Sequence, residues 1–98
     1  MVSEYEFCII CGSPYDLDVH HLIEGTGKRE LSDKDGLTVY LCRDCHTARK
    51  DSVHASWVTN RWSKICGQLA YERNLCANGE TVEEAREDFR RRYGKSYL

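Results

Sequence analysis

Ninety-eight residues with a formal net charge of −2 and a pI near 6.1 argue against a protein that coats nucleic acid through bulk positive charge, which ordinarily shows as a net basic domain. A chain this short makes one domain whose apolar core needs reinforcement, and six cysteines are available for it. The opening run "MVSEYEFCIICG" lacks the pattern of a secretion signal and no stretch approaches a membrane span, so a reducing compartment is expected, with metal binding favoured over disulfides.

In chain order, "CGSPYD" reads as a turn and "LDVHHLI" as a strand. "EGTGKRELSDKDG" reads as a long polar loop and "LTVYLC" as a second strand, which together make a β-hairpin with a wide connection. "RDCHTARKDS" lacks Gly, Pro and alternation and predicts a short helix continuing directly from the second strand. Val58, Trp62, Ile65, Leu69 and Glu72 recur at a spacing of three or four, predicting a helix over 56–75 that buries this stripe. Gly79 is the expected stop. Thr81 and Glu84 have the spacing of a capping box, and Val82, Ala85, Phe89 and Tyr93 supply an apolar face up to Gly94. Tyr5, Phe7, Trp57 and Trp62 are expected to extend the core rather than form a dimer face.

Two C-x2-C pairs, Cys8 with Cys11 and Cys42 with Cys45, supply four thiolates, the donor set of a tetrahedral structural zinc site. A redox pair is the rival reading, but it calls for a single pair opening a helix after a parallel strand. Zinc binding of this kind contributes roughly 10 kcal/mol or more, so the metal is expected to decide whether the first half folds. Cys66 and Cys76 have no second partner motif and are expected to be small core residues.

Two of the four histidines are adjacent, His20 and His21. Neighbouring strand residues face opposite sides, so the two imidazoles cannot share one pocket or duplicate one role. The cysteine frame pins the chain before the first strand and after the second, which brings His20 near His46.

The combination "C-x2-CG … DVHHLI … G … LTVYLCRDCH" resembles the HNH endonuclease superfamily. More narrowly, "HHLIEGTGKRELSDKDGLTVYLCRDCHT", followed by "SVH" and the closing "GKSYL", is similar to a group of small phage-encoded HNH nucleases. The resemblance spans almost the whole chain. It implies an α+β fold: a zinc-braced, treble-clef-like ββα-metal core over 1–54 and a helical extension over 55–98, forming a single domain. It also implies hydrolysis of DNA phosphodiester bonds in the cytoplasm of a bacterial host. The resemblance makes His21 the general base and His20 and His46 ligands of a catalytic Mg²⁺, Mn²⁺, Ni²⁺ or Zn²⁺ ion.

The sequence departs from the superfamily pattern in two places. The middle Asn that orients the base would fall at or beside Leu37, leaving Asp33, Asp35 or a backbone carbonyl to hold His21. The position one turn after His46 is Lys50, so His54 is the expected third ligand, provided the chain bends after Asp51.

Local basic groups survive the negative net charge. Lys28, Arg29, Arg43, Arg49 and Lys50 are the expected contacts to DNA phosphates. Recombination or packaging proteins of phage or host are candidate partners. Two other readings compete with the enzyme: a non-catalytic zinc module that binds DNA or protein, and a recombination accessory. A second metal bound outside the four cysteines discriminates the enzyme from the module.

Overall fold

The two strands expected from the alternation pair as an antiparallel hairpin, β1 (Leu17–His21) with β2 (Thr38–Cys42), Leu17 opposite Cys42 and His21 opposite Thr38. The computed structural model describes residues 6–25 and 27–98, so Tyr5 lies outside the described residues. The register puts Cys42 at one end of the ladder and the His20–His21 doublet at the other. The first cysteine turn is tied to this ladder: Gly12 N–H donates to the Cys8 carbonyl at 2.8 Å with Gly12 at φ +81°, and Ile9 N–H donates to Tyr40 O at 3.1 Å.

The long connection is not a polar loop. It contains a helix, α1 (Lys28–Lys34), entered through Gly27 at φ +78°. Leu31 packs it against the core, and the buried Ser32 hydroxyl donates to Ile23 O at 2.6 Å. Seven residues with one apolar anchor are too few to display a 3.6-residue period, which is why turn-rich composition dominates the sequence signal. The helix expected after Cys42 is also shorter than "RDCHTARKDS". Only Asp44–Ala48 is helical, a single wide turn closed by Arg49 N–H donating to Asp44 O at 3.0 Å, and Arg49 is already extended. The chain reverses through two successive turns, Ser52 N–H donating to Arg49 O and Ala55 N–H to Ser52 O, both at 3.1 Å, and Val53 N–H and His54 N–H return to the Cys45 and His46 carbonyls at 2.9 and 3.2 Å.

The long helix α2 (Trp57–Ala77) has Ser56 as its N-cap, the side chain accepting from Thr59 N–H. Its buried face is not the expected stripe. Ser63, Gly67, Gln68 and Glu72 face inward, whereas Val58, Trp62 and Leu69 are exposed, as are Trp57 and Phe7. Of the expected stripe, Glu72 is buried and Ile65 is partly buried against the core, as is Cys66. The inward polar groups are satisfied in place. Gln68 donates to Glu72 at 2.7 Å and to Ser96 at 2.9 Å and accepts from Tyr97 N–H at 2.7 Å. A face so paired can be buried without apolar side chains.

The last helix, α3 (Val82–Tyr93), begins at the expected capping box of Thr81 and Glu84 and ends at Gly94 in the left-handed region. Ala85, Phe89 and Tyr93 are buried as expected, but Val82, in the first turn, is exposed. Phe89 stacks on Tyr93 at 4.6 Å between ring centroids, and Tyr97 closes the same aromatic layer over Leu22, Ile23, Leu37 and Leu41. Among the described residues no helix is long and apolar enough to cross a membrane.

Candidate functional site

The β1 and β2 ends at Leu17 and Cys42 lie beside the first cysteine turn, and the helical turn after β2 brings Cys45 alongside. One ligand atom from each of Cys8, Cys11, Cys42 and Cys45 lies within 4.8 Å of every other, with Cys11 Sγ and Cys42 Sγ at 3.6 Å. Four sulfurs held tetrahedrally at a Zn–S distance of about 2.3 Å stand roughly 3.8 Å apart, so the set fits such an ion. All six cysteines are free thiols. Burial opposes ionisation of Cys8, but backbone hydrogen bonds from Cys11, Cys42 and Ile10 outweigh it and lower its pKa from 9.0 to about 6. Burial and the sulfurs of Cys42, Cys8 and Cys11 push Cys45 up. A cluster in which Cys8 ionises easily while Cys11 and Cys45 are pushed up by neighbouring sulfurs is one that a cation relieves.

The second constellation lies at the other end of the ladder. His20 at the inward position of β1, His46 on the helical turn and His54 on the returning segment have ring centroids 4.6 to 5.4 Å apart, and each offers a nitrogen within 4.8 Å of the others. Their outer partners decide which nitrogens are free. Ser63 Oγ donates its proton to Leu22 O at 2.8 Å, so at 2.8 Å from His20 Nε2 it can only accept. That places the His20 proton on Nε2 and the lone pair on Nδ1. The Asp18 carboxylate lies 3.2 Å from His46 Nδ1 and Glu24 lies 3.4 Å from His54 Nδ1, which frees both Nε2 atoms. Those two atoms face each other at 2.9 Å. Adjacent imidazoles bound at about 2.1 Å to one octahedral ion stand roughly 3.0 Å apart, so this donor set fits a divalent cation, with carboxylate and hydroxyl partners of the kind that orient metal-binding histidines.

Burial, then the neighbouring His46, His54, His21 and Arg29, depress the His20 pKa from 6.5 to about 3, so this ring stays neutral and available as a donor. The position of His20 depends on α2 coming close. At Gly67 an added Cβ would lie 2.8 Å from Ile23 Cγ1 and 3.0 Å from Leu22 Cβ, and this contact lets Ser63 reach His20 and Asn60 reach Glu24 at 2.7 Å.

His21 is on the other side of the strand and partly exposed, with its Nε2 held by Asp33 Oδ1 at 2.8 Å. Of the three groups expected to stand in for the missing amide near Leu37, Asp33 is the one at this nitrogen. Asp35 is occupied by Arg92 and Tyr93. His20, His21, His46 and His54 together line one cavity of about 190 Å³, with Val19, Glu24 and Arg29. The strand ends at His21, so a cavity at its tip reaches both faces and both members of the doublet.

Comparison with protein-family profiles, curated proteins and solved structures gives no match to this chain. The functional reading therefore stands on the residues themselves.

The structure does not bring the five expected DNA contacts together. Arg29 lines the histidine cavity and a wider groove of about 590 Å³ that it shares with Glu24, Gly25, His54 and Lys64. Lys28 opens α1 nearby, and Lys50 is exposed on the returning segment. Arg43 and Arg49 line a separate cleft beside Cys11, Asp16 and Asp44, where Arg49 pairs with Asp51 at 3.4 Å.

The sequence reading missed Asp18, Glu24, Asn60, Ser63 and Lys64. For Asp18 a signal existed, since it is two residues before His20 and shares its face of the strand. For Asn60, Ser63 and Lys64 none did, because only the tertiary approach at Gly67 turns that face of α2 toward the site.

Proposed function

We propose that this chain is a metal-dependent endonuclease of the HNH type that hydrolyses DNA phosphodiester bonds. Cys8, Cys11, Cys42 and Cys45 hold a structural zinc, and the hairpin with its following helical turn acts as a ββα-metal unit. The observation that carries the reading is the convergence of His20, His46 and His54, each with its lone pair freed by an outer partner, on the same cavity as a separately oriented His21. A purely structural metal needs no fourth imidazole aligned by its own carboxylate.

In this reading His20 Nδ1, His46 Nε2 and His54 Nε2 hold a divalent cation, which when bound supplies Lewis-acid stabilisation of the charge that builds on the phosphoryl oxygens. His21, with its Nε2 proton shared with Asp33, takes a proton from water at Nδ1. The water oxygen bonds to phosphorus while the P–O ester bond breaks and its electron pair departs on the ester oxygen. Arg29 and Lys64 hold the phosphate backbone in the open groove beside the cavity, and with a net negative protein this binding is weak and sensitive to salt.

Metal stoichiometry and nicking of supercoiled plasmid in Mg²⁺, Mn²⁺ and Ni²⁺ test the proposal on wild type, His20→Ala and His21→Ala. The expected outcome is two metals and cleavage for wild type, two metals with cleavage reduced by roughly 10² to 10⁴ for His21→Ala, and loss of the second metal for His20→Ala. A wild-type protein that binds one metal and cuts under none of these conditions overturns the enzyme reading in favour of a non-catalytic zinc module.

A further inference from the structure

The last turn of α3 carries three consecutive arginines with different destinations. Arg90 pairs with Glu87, and Arg91 with Asp88 at 3.0 Å, both within the helix. Arg92 leaves the helix. Its Nε and Nη2 grip the two oxygens of Asp35 at 2.7 and 2.8 Å, and the Tyr93 hydroxyl donates to the same carboxylate at 2.5 Å. Asp35 is the C-cap of α1, two residues past Asp33. On the other side of Asp33, Ser32 is buried and anchored to Ile23 O.

Asp33 itself has a side chain 64 % exposed and holds His21 through a single hydrogen bond. A solvated carboxylate on a seven-residue helix has little of its own to keep it in place, because so short a helix is marginal without tertiary support. The two anchors flanking Asp33 supply that support, and a bidentate guanidinium–carboxylate pair fixes direction as well as distance.

From this geometry we infer that Arg92 and Tyr93 are positioning residues for His21, acting through Asp35 and α1 to hold the Asp33 carboxylate against the imidazole. The inference rests on the assignment of His21 as the base and extends it: α3, which does not reach the cavity, is part of the catalytic apparatus rather than only a cover for the core. Neither Arg92 nor Tyr93 lines the cavity, so neither is a catalytic residue. Burial and then the Asp35 carboxylate raise the Tyr93 pKa, which keeps the phenol a donor to Asp35 at any working pH.

The test combines kinetics with an observation that does not depend on cleavage. In the zinc-loaded full chain, Arg92→Ala should lower kcat about tenfold, as expected when a reacting group loses its alignment, with KM and metal affinity unchanged. Tyr93→Phe should act in the same direction more weakly, and Arg92→Lys, which keeps the charge but loses the fork, should fall between Arg92→Ala and wild type. If Arg92 works through Asp33, then Arg92→Ala should cost nothing further in an Asp33→Ala background.

The His21 Nε2–H proton, followed by nitrogen-filtered NMR, should exchange with solvent at least several-fold faster in Arg92→Ala and Tyr93→Phe. This readout remains decisive if the protein proves not to cut DNA at all. Unchanged exchange in a folded Arg92→Ala or Arg92→Lys protein overturns the inference, as does an Arg92→Ala penalty undiminished in the Asp33→Ala background. If Arg92→Ala does not fold, Tyr93→Phe and Arg92→Lys decide the matter by the same measurements.

Discussion

His46 and His54, eight residues apart, meet Nε2 to Nε2 at 2.9 Å because the turn from Arg49 to Ser52 reverses the chain and lays the His54 amide on the His46 carbonyl. Two nitrogens that both present lone pairs at this distance repel unless a proton or a cation lies between them. Asp18 and Glu24 hold the opposite nitrogens, so the natural relief is a shared cation, with His20 as the third donor.

The first prediction concerns those outer partners. Asp18→Ala should leave the fold intact and weaken binding of Mn²⁺ or Ni²⁺ by about 10- to 100-fold, the usual cost of removing a group that orients a ligating histidine. Ser63→Ala should weaken it in the same range, because it releases the His20 tautomer. Calorimetric titration of zinc-loaded protein measures both. Affinities equal to wild type in both variants would show that the carboxylate and hydroxyl are not holding the ligand nitrogens.

A second prediction concerns the four cysteines. Cys42 both ends β2 and contributes a sulfur, so its loss removes a ligand and the junction between hairpin and helical turn. Cys42→Ser should release the structural zinc and with it cooperative thermal unfolding, since binding at such sites is worth on the order of 10 kcal/mol in a domain of this size. Metal analysis alongside a melting curve gives the outcome. A variant that keeps zinc and melts sharply would remove the metal from its structural role.

The elements that punctuate the chain are legible in its sequence. The cysteine spacing, the strand alternation around His20, and the Thr81–Glu84 capping box each depend on neighbours a few residues away, and each appears in the structure as the sequence implies. The differences have two causes, one local and one tertiary. Leu31 is a single apolar anchor in a turn-rich segment, so α1 leaves no periodic signal. The buried face of α2 departs from its apolar stripe because Gln68 and Glu72 are buried through hydrogen bonds to Tyr97, Ser96 and Arg86, partners far along the chain. Hydrophobic periodicity assumes that the buried face is the apolar one. Here close approach and polar pairing reverse that for Val58, Trp62 and Leu69. The same effect hides Ser63 and Asn60 from a sequence-level view of the site while leaving the histidines in plain sight.

The third prediction separates the two readings of α2. If the exposed stripe were core, Leu69→Ser would cost several kcal/mol. As placed, it should change stability by no more than about 0.5 kcal/mol. Gly67→Ala, normally a favourable change in a helix, should destabilise by about 1–3 kcal/mol, because the new methyl group meets Ile23 and Leu22 at 2.8 and 3.0 Å. Denaturant titration of the two variants should therefore reverse the order that helix propensity and hydrophobicity alone would give. The same Gly67→Ala protein should bind the second metal less tightly, since pushing α2 outward draws Ser63 from His20.

The last prediction follows from His20 being 2 % exposed, with the His46 and His54 rings against it and the charges of His21 and Arg29 acting on it. Burial and these neighbours lower its pKa from 6.5 in the unfolded chain to about 3 in the folded one. The unfolded state therefore takes up a proton that the folded state refuses, and acid favours unfolding. The contribution of His20 is fully present above pH 6.5 and is lost as pH falls from there toward 3. By about pH 4 the loss should reach roughly 3 kcal/mol relative to neutral pH. Cys8 also titrates near this range, and protons compete with any bound metal, so the measurement is a difference: unfolding free energy against pH for wild type and for His20→Gln, which keeps a hydrogen-bonding group near Ser63 without a basic nitrogen. The wild-type curve should fall more steeply than the variant's between about pH 6.5 and pH 4. Parallel curves would mean that the His20 ring accepts its proton in the folded state, and the neutral donor assigned to the histidine cluster would be lost with it.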